Sequence, residues 1–176
     1  NGTVQNLHLN MNATGISAVP YGSIANTCQG QISSCWVSGL LQGAGQAMIG
    51  GITGQLLDDD QNSRAKVENC LMEASILPAG DGTPTITPRG HAQSSDNQRI
   101  YASLVTGELD GDSVYGISPK GASRDDSQRS FYDNTMTSAS AEDQYSVAKT
   151  YDELLSMSTF ISAGWSQEKW LLREGD

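Results

Sequence analysis

Leu7, Leu9 and Met11 alternate with polar neighbours in residues 3–12, TVQNLHLNMN. A period of two is the signature of a half-buried strand. Residues 13–33 form a connection containing Gly, Ser and Pro, with a turn at Val19-Pro20-Tyr21-Gly22. The pattern then changes. In residues 35–57, CWVSGLLQGAGQAMIGGITGQLL, the apolar positions Val37, Leu41, Ala44, Met48 and Ile52 recur every three or four residues. This spacing predicts a long helix, with Ser33 or Ser34 capping its start. Gly39, Gly43, Gly50 and Gly54 fall on the opposite side. Glycine costs a helix interior about 1 kcal/mol against alanine. A helix carrying so many glycines needs close contact on that face, as small residues allow. Gly39, Gly43, Gly50 and Gly54 are therefore predicted to form an interface, with a neighbouring subunit in preference to the same chain.

Residues 58–63, DDDQNS, interrupt the pattern. Residues 64–77, RAKVENCLMEASIL, predict a second helix with Val67, Cys70, Leu71, Ala74 and Leu77 on one face, ended by Pro78 and Gly80. Turn signals such as Asp81-Gly82, Asp96-Asn97 and Asp110-Gly111 separate short strand candidates at 85–87, 99–105 and 113–117. The polar tract 119–140 is expected to be a mobile loop. A third helix is predicted over 141–163, with Val147, Tyr151, Leu154, Ser158, Ile161 and Trp165 along one side and Gly164 interrupting it. Trp170, Leu171 and Leu172 should dock beyond it. Together these elements predict an α+β fold in a single domain, residues 1–176. Its parts are a helical hairpin with a Gly-rich long helix, a C-terminal helix and a small antiparallel sheet with long polar loops. No internal repeat is evident in this pattern.

Charge sharpens the picture. The chain carries 10 basic and 20 acidic residues, a net charge of −10, and its first charged residue is Asp58. Residues 1–57 are thus uncharged, which suits burial within the monomer or against another subunit, because interface cores are depleted of charge. The basic residues are scattered singly. Binding to nucleic acid or to an anionic membrane surface requires clustered Lys and Arg, so neither is expected. The apolar share is 37%, low for a globular domain. Ser, Thr, Asn, Gln and Gly make up the difference, as they do in secreted proteins, appendage subunits and virion proteins.

Cys28, Cys35 and Cys70 are an odd set without CxxC or His/Cys spacing. If residues 57 and 64 flank a hairpin bend, Cys70 lies roughly 24 Å from Cys35 at 1.5 Å per residue. A disulfide needs Cα atoms within about 7 Å. The predicted bridge is therefore Cys28–Cys35, which would imply an oxidising compartment. Two glycosylation sequons, at Asn1 and Asn12, carry little weight in a chain this rich in Asn and Thr.

The candidate chemistry is sparse. Asp58, Asp60 and Asn62 match positions 1, 3 and 5 of a calcium loop, but Ser63 replaces the required glycine and Asn69 the bidentate glutamate. Asp110-Gly111-Asp112 is a second acidic turn. His91 lies in a polar stretch with Ser94, Ser95 and Asp96 nearby, which makes His91 and Asp96 the weak catalytic alternative. A Ser–His–Asp device draws its groups from separate parts of the fold, and no GxSxG is present. No phosphate-binding glycine loop and no cofactor motif is found, and no cofactor is expected. The sequence thus favours a structural or assembly subunit of an extracellular, cell-envelope or virion complex. In that reading it associates with itself or with other subunits through the Gly-rich helix. The rival reading is a secreted or virion-associated hydrolase built around His91.

Overall fold

The computed structural model describes residues 2–17, 20–57, 65–80, 87–92, 99–118, 130–137 and 146–170. It overturns the α+β prediction. The chain is mostly strand, and every strand pairs in parallel with the strand one coil above or below it. The first coil contains β1 (Thr3–Gln5), β2 (His8–Ile16), β3 (Tyr21–Gly22) and β4 (Ala25–Cys28). The second contains β5 (Gln31–Ser33), β6 (Trp36–Gly43), β7 (Met48–Gly50) and β8 (Thr53–Leu56). The third contains β9 (Lys66–Glu68), β10 (Leu71–Met72), β11 (Ser75–Pro78) and β12 (Thr87–Arg89). The fourth contains β13 (Arg99–Tyr101) and β14 (Leu104–Val105), and the chain finishes with β15 (Ser130–Asp133) and β16 (Ser146–Lys149). The result is a parallel β-solenoid, in which each coil stacks on its predecessor.

Four sheets run along the stack: β1-β5-β9-β13, a seven-stranded sheet from β2 and β6 through β16, β12-β7-β3, and β4-β8. Thr3, Gln31, Lys66 and Arg99 stand in one column, at successive offsets of 28, 35 and 33 residues. Inward-facing residues stack in register. One column is Val4, Ile32, Val67 and Ile100, and another is Leu9, Val37, Met72 and Val105. From the second coil onward these side chains are buried and form one continuous core.

The bend between the first two sheets is made in the same way on every coil. A single residue in the left-handed region follows each strand of the first sheet: Asn6, Ser34, Asn69 and Ala102, with φ of 56°, 52°, 54° and 41°. Asparagine tolerates this conformation well; serine and alanine need the surrounding ladder to hold them. The next residue, Leu7, Cys35, Cys70 or Ser103, stacks on its counterpart. Trp36 N–H donates to Leu7 O at 2.8 Å, Leu71 N–H to Cys35 O at 2.9 Å and Leu104 N–H to Cys70 O at 2.9 Å.

The helical hairpin is absent. The predicted helix 35–57 is β6, β7 and β8, and the predicted helix 64–77 falls, from Ala65 onward, on β9, β10 and β11. The strand expected at 3–12 is broken at Asn6 into β1 and β2. The strand expected at 99–105 is split by the Ala102 bend, Thr87 of the 85–87 candidate begins β12, and 113–117 contributes only the bridge of Tyr115 to Arg89. All these pairings are parallel, so the predicted antiparallel sheet is also corrected. Of the tract 119–140, residues 130–133 form β15, and 119–129 and 138–140 lie outside the described residues. The predicted helix 141–163 contains β16 and two short helices, α1 (Tyr151–Leu154) and α2 (Met157–Ser162). Thr150 and Glu153 form a reciprocal capping box on α1. Phe131, Leu154, Phe160 and Trp165 make a second, aromatic core on the outside of the solenoid, and Trp170 packs against it.

Candidate functional site

The sequence-derived candidates do not converge. His91 is fully buried, its backbone built into the ladder: His91 N–H donates to Ile117 O at 3.0 Å, and His91 O accepts from Ile52 and Thr53. Burial pushes its imidazole down to about 4, against a weaker opposing effect of the Gly90 and Cys70 backbone. Neither ring nitrogen completes a hydrogen bond of normal geometry. The ring is thus a neutral core side chain, with no solvent access. Asp96 lies outside the described residues, as do Asp58, Asp60 and Asn62. Among the described residues no cluster of three His, Cys, Asp or Glu could hold a metal.

Gly39, Gly50 and Gly54 approach backbone of the same chain closely. A Cβ on Gly39 would lie 2.0 Å from Met11 O on the first coil. One on Gly50 would lie 1.9 Å from Thr53 O, and one on Gly54 2.7 Å from Asn26 O. Gly43 is buried beside Ile16 and Pro78, its register neighbours above and below. Gly39 and Gly54 pack against the coil below, and Gly50 against the next strand of its own coil.

Cys28, Cys35 and Cys70 are all free thiols. Cys35 lies in register with Cys70, between the Ser33–Glu68 and Trp36–Leu71 pairs, and Cys28 stands opposite Leu56. The hairpin geometry that separated Cys35 from Cys70 does not exist, because the two occupy the same bend on successive coils. Burial pushes the Cys28 thiol up. Arg89 is also buried; its Nη2 reaches Met48 Sδ at 3.6 Å and its guanidinium lies 5.7 Å from the Tyr115 ring centroid.

A surface feature that sequence reading placed only coarsely is the open face of the first coil. Each of β1, β2, β3 and β4 is the terminal strand of its sheet and pairs on one side only, with β5, β6, β7 and β8. From Gly2 to Gly15 no residue is buried. Val4 and Leu7 are each 37% exposed, and Leu9, Met11 and Ala13 are partly open although they stand on core columns. Edge strands are ordinarily protected by lysine, proline, bulges or cover. This edge carries no charge at all, and its one irregularity is the register shift between Ala13 and Ile16. On the outer wall nearby, His8 stacks on Trp36 at 3.9 Å, and Trp36 Nε1–H donates to Glu73 at 3.0 Å.

Comparison with protein-family models, curated proteins and solved structures finds no match.

Proposed function

We propose that the chain is a structural subunit of a larger extracellular, cell-envelope or virion assembly, which it joins through the open face of its first coil. The observation that supports this reading is that residues 1–57 are uncharged and that, among the described residues, β1, β2, β3 and β4 each pair on one side only. Exposed strand edges bind by adding further strands, with backbone hydrogen bonds supplying affinity.

The occupant proposed is a second copy, first coil against first coil. All 30 ionisable Lys, Arg, Asp and Glu residues lie from Asp58 onward, and the net charge is −10. A head-to-head pair brings two uncharged thirds together and holds two acidic regions apart. Such a pairing is isologous, the commonest symmetry of soluble oligomers. The Gly-rich segment contributes through its position behind the interface and not as a helix. A hydrolase centred on His91 has less support, since its only described candidate is sealed in the core.

Light scattering on the intact chain tests the proposal. A dimer is expected, and Val4→Lys or Leu7→Lys should convert it to a monomer with unchanged circular dichroism. A native chain that stays monomeric throughout, or a dimer indifferent to both lysines, would overturn it.

A further inference from the structure

Two of the three cysteines occupy a repeated position. Cys35 and Cys70 each follow a left-handed residue, Ser34 or Asn69, at the bend between the first two sheets. Backbone hydrogen bonds lock their register from both sides: Ser34 N–H to Glu68 O at 3.1 Å, and Leu71 N–H to Cys35 O at 2.9 Å. Neighbouring strands in register lie about 4.8 Å apart. That separation falls inside the Cα window of disulfides, about 4.4–6.8 Å. Cys35 and Cys70 thus stand side by side, between the Ser33–Glu68 and Trp36–Leu71 register pairs. Each also sits near a carbonyl two residues back: Cys35 Sγ is 3.2 Å from Ser33 O, and Cys70 Sγ is 3.3 Å from Glu68 O. Cys28 has no such partner; it stands on the fourth sheet, opposite Leu56.

We propose that Cys35 and Cys70 are a paired redox site, which a small disulfide oxidant closes to an intrachain bond joining the second coil to the third.

The chemistry is thiol–disulfide exchange. The Cys35 thiolate attacks one sulfur of the oxidant and expels the other as a thiolate, giving a mixed disulfide. Cys70 then loses its proton and attacks the Cys35 sulfur, releasing the second oxidant thiol. Two protein thiols are oxidised and one external disulfide is reduced to two thiols, so electrons and protons balance. The roles are unequal. Interaction with the neighbouring Cys70 thiol holds the Cys35 thiol down, whereas that interaction together with burial holds Cys70 protonated. Cys35 is therefore the attacking group and Cys70 the resolving one. Both are buried, Cys35 to 2% and Cys70 to 0% exposure. The route to Cys35 is set by the fold. Its sulfur lies 3.9 Å from Val4 O, on the terminal coil, whose β1 is exposed throughout. Strands with few buried contacts open most readily; no residue of β1 is buried in the single chain, so lifting β1 when the chain is free of a partner uncovers Cys35 before Cys70.

The test incubates the intact native chain with oxidised glutathione, followed by peptide mapping without reduction. The expected product is a single polypeptide mass lighter by two hydrogens, with Cys35 linked to Cys70, Cys28 still alkylatable and circular dichroism unchanged. Cys28→Ser should form the same bond, and Cys35→Ser and Cys70→Ser should not. The oxidised form should melt at a higher temperature than the reduced one. A bond that includes Cys28, a link between chains, or three free thiols after prolonged exposure would each overturn the proposal.

Discussion

Val4 and Ile32 stand in the same column of the same sheet, one coil apart, yet Val4 is 37% exposed and Ile32 only 1%. Their side chains are nearly the same size and their strands have the same conformation. What differs is the number of neighbours. Ile32 has a coil on each side, with Val67 beyond it, and Val4 has a coil on one side only. The first coil thus has the composition of an interior coil and the exposure of a surface. In a solenoid, burial is a property of position in the stack more than of residue type.

Truncation of the two residues gives the widest contrast. Ile32→Ala should cost about 2–5 kcal/mol, the range for removing a buried isoleucine. Val4→Ala should cost well under about 1 kcal/mol, as surface substitutions do. Urea unfolding of the two variants measures both; equal losses would erase the distinction between terminal and interior coils.

Acid should act on the interior as well. His91 has a depressed folded-state value, about 4 against 6.5, so it favours the fold above pH 6.5. That contribution disappears as pH falls from 6.5 to 4, because the unfolded chain takes up a proton that the folded chain refuses. The shift corresponds to roughly 3 kcal/mol. His91→Leu should flatten stability against pH across this window, and an unchanged slope would place the ring in water.

Backbone substitutions sharpen the contrast between packed and open glycines. Gly39 has φ of 110° and faces Met11 O, whereas Gly45 has φ of 65° with nothing within 4 Å of its absent Cβ. Gly45→Ala should cost about 1–2 kcal/mol, the ordinary left-handed penalty. Gly39→Ala should cost more, since the first coil must also shift, and thermal melts would rank the two. The smallest effect on stability is expected from Val4→Lys, within about 0.5 kcal/mol in the separated monomer. Sedimentation should nevertheless show it unable to dimerise.

Part of the strand at the start of the chain was legible from its alternation, though not its break at Asn6; of the residues expected to dock, Trp170 packs on the aromatic core and Leu171 and Leu172 lie outside the described residues. The coils were not, and the reason is specific. Val37 and Leu41 are four residues apart, a spacing that satisfies both a period of two and a period of 3.6. Val67, Cys70 and Ala74 are buried at spacings of three and four because the Asn69 bend advances the phase by one residue. A strand, a corner and another strand therefore imitate a helical stripe. The repeat is visible once aligned on the corner: TVQNLHL, QISSCWV, KVENCLM and RIYASLV. Unequal offsets of 28, 35 and 33 residues hide it from any fixed period. The glycines were read as a helix face at an interface, and nothing in the sequence shows that Gly39 and Gly54 meet the first coil and Gly50 its own coil. The Cys35–Cys70 pairing depended on the same missing alignment, and the interior position of His91 left no mark in its polar surroundings.

The variable offsets also mean that length and thickness are independent in this protein. Seven residues more between Gln31 and Lys66 than between Thr3 and Gln31 leave the column in register, so the register tolerates coils of different length. Only a whole extra coil would make the rod longer, and then by a fixed step of about 4.8 Å. The solenoid is in effect a ruler graduated in coils. Insertions within a coil could decorate its side, and duplication of a coil could extend its reach, with the spacing of whatever it holds apart changing in units of one strand separation.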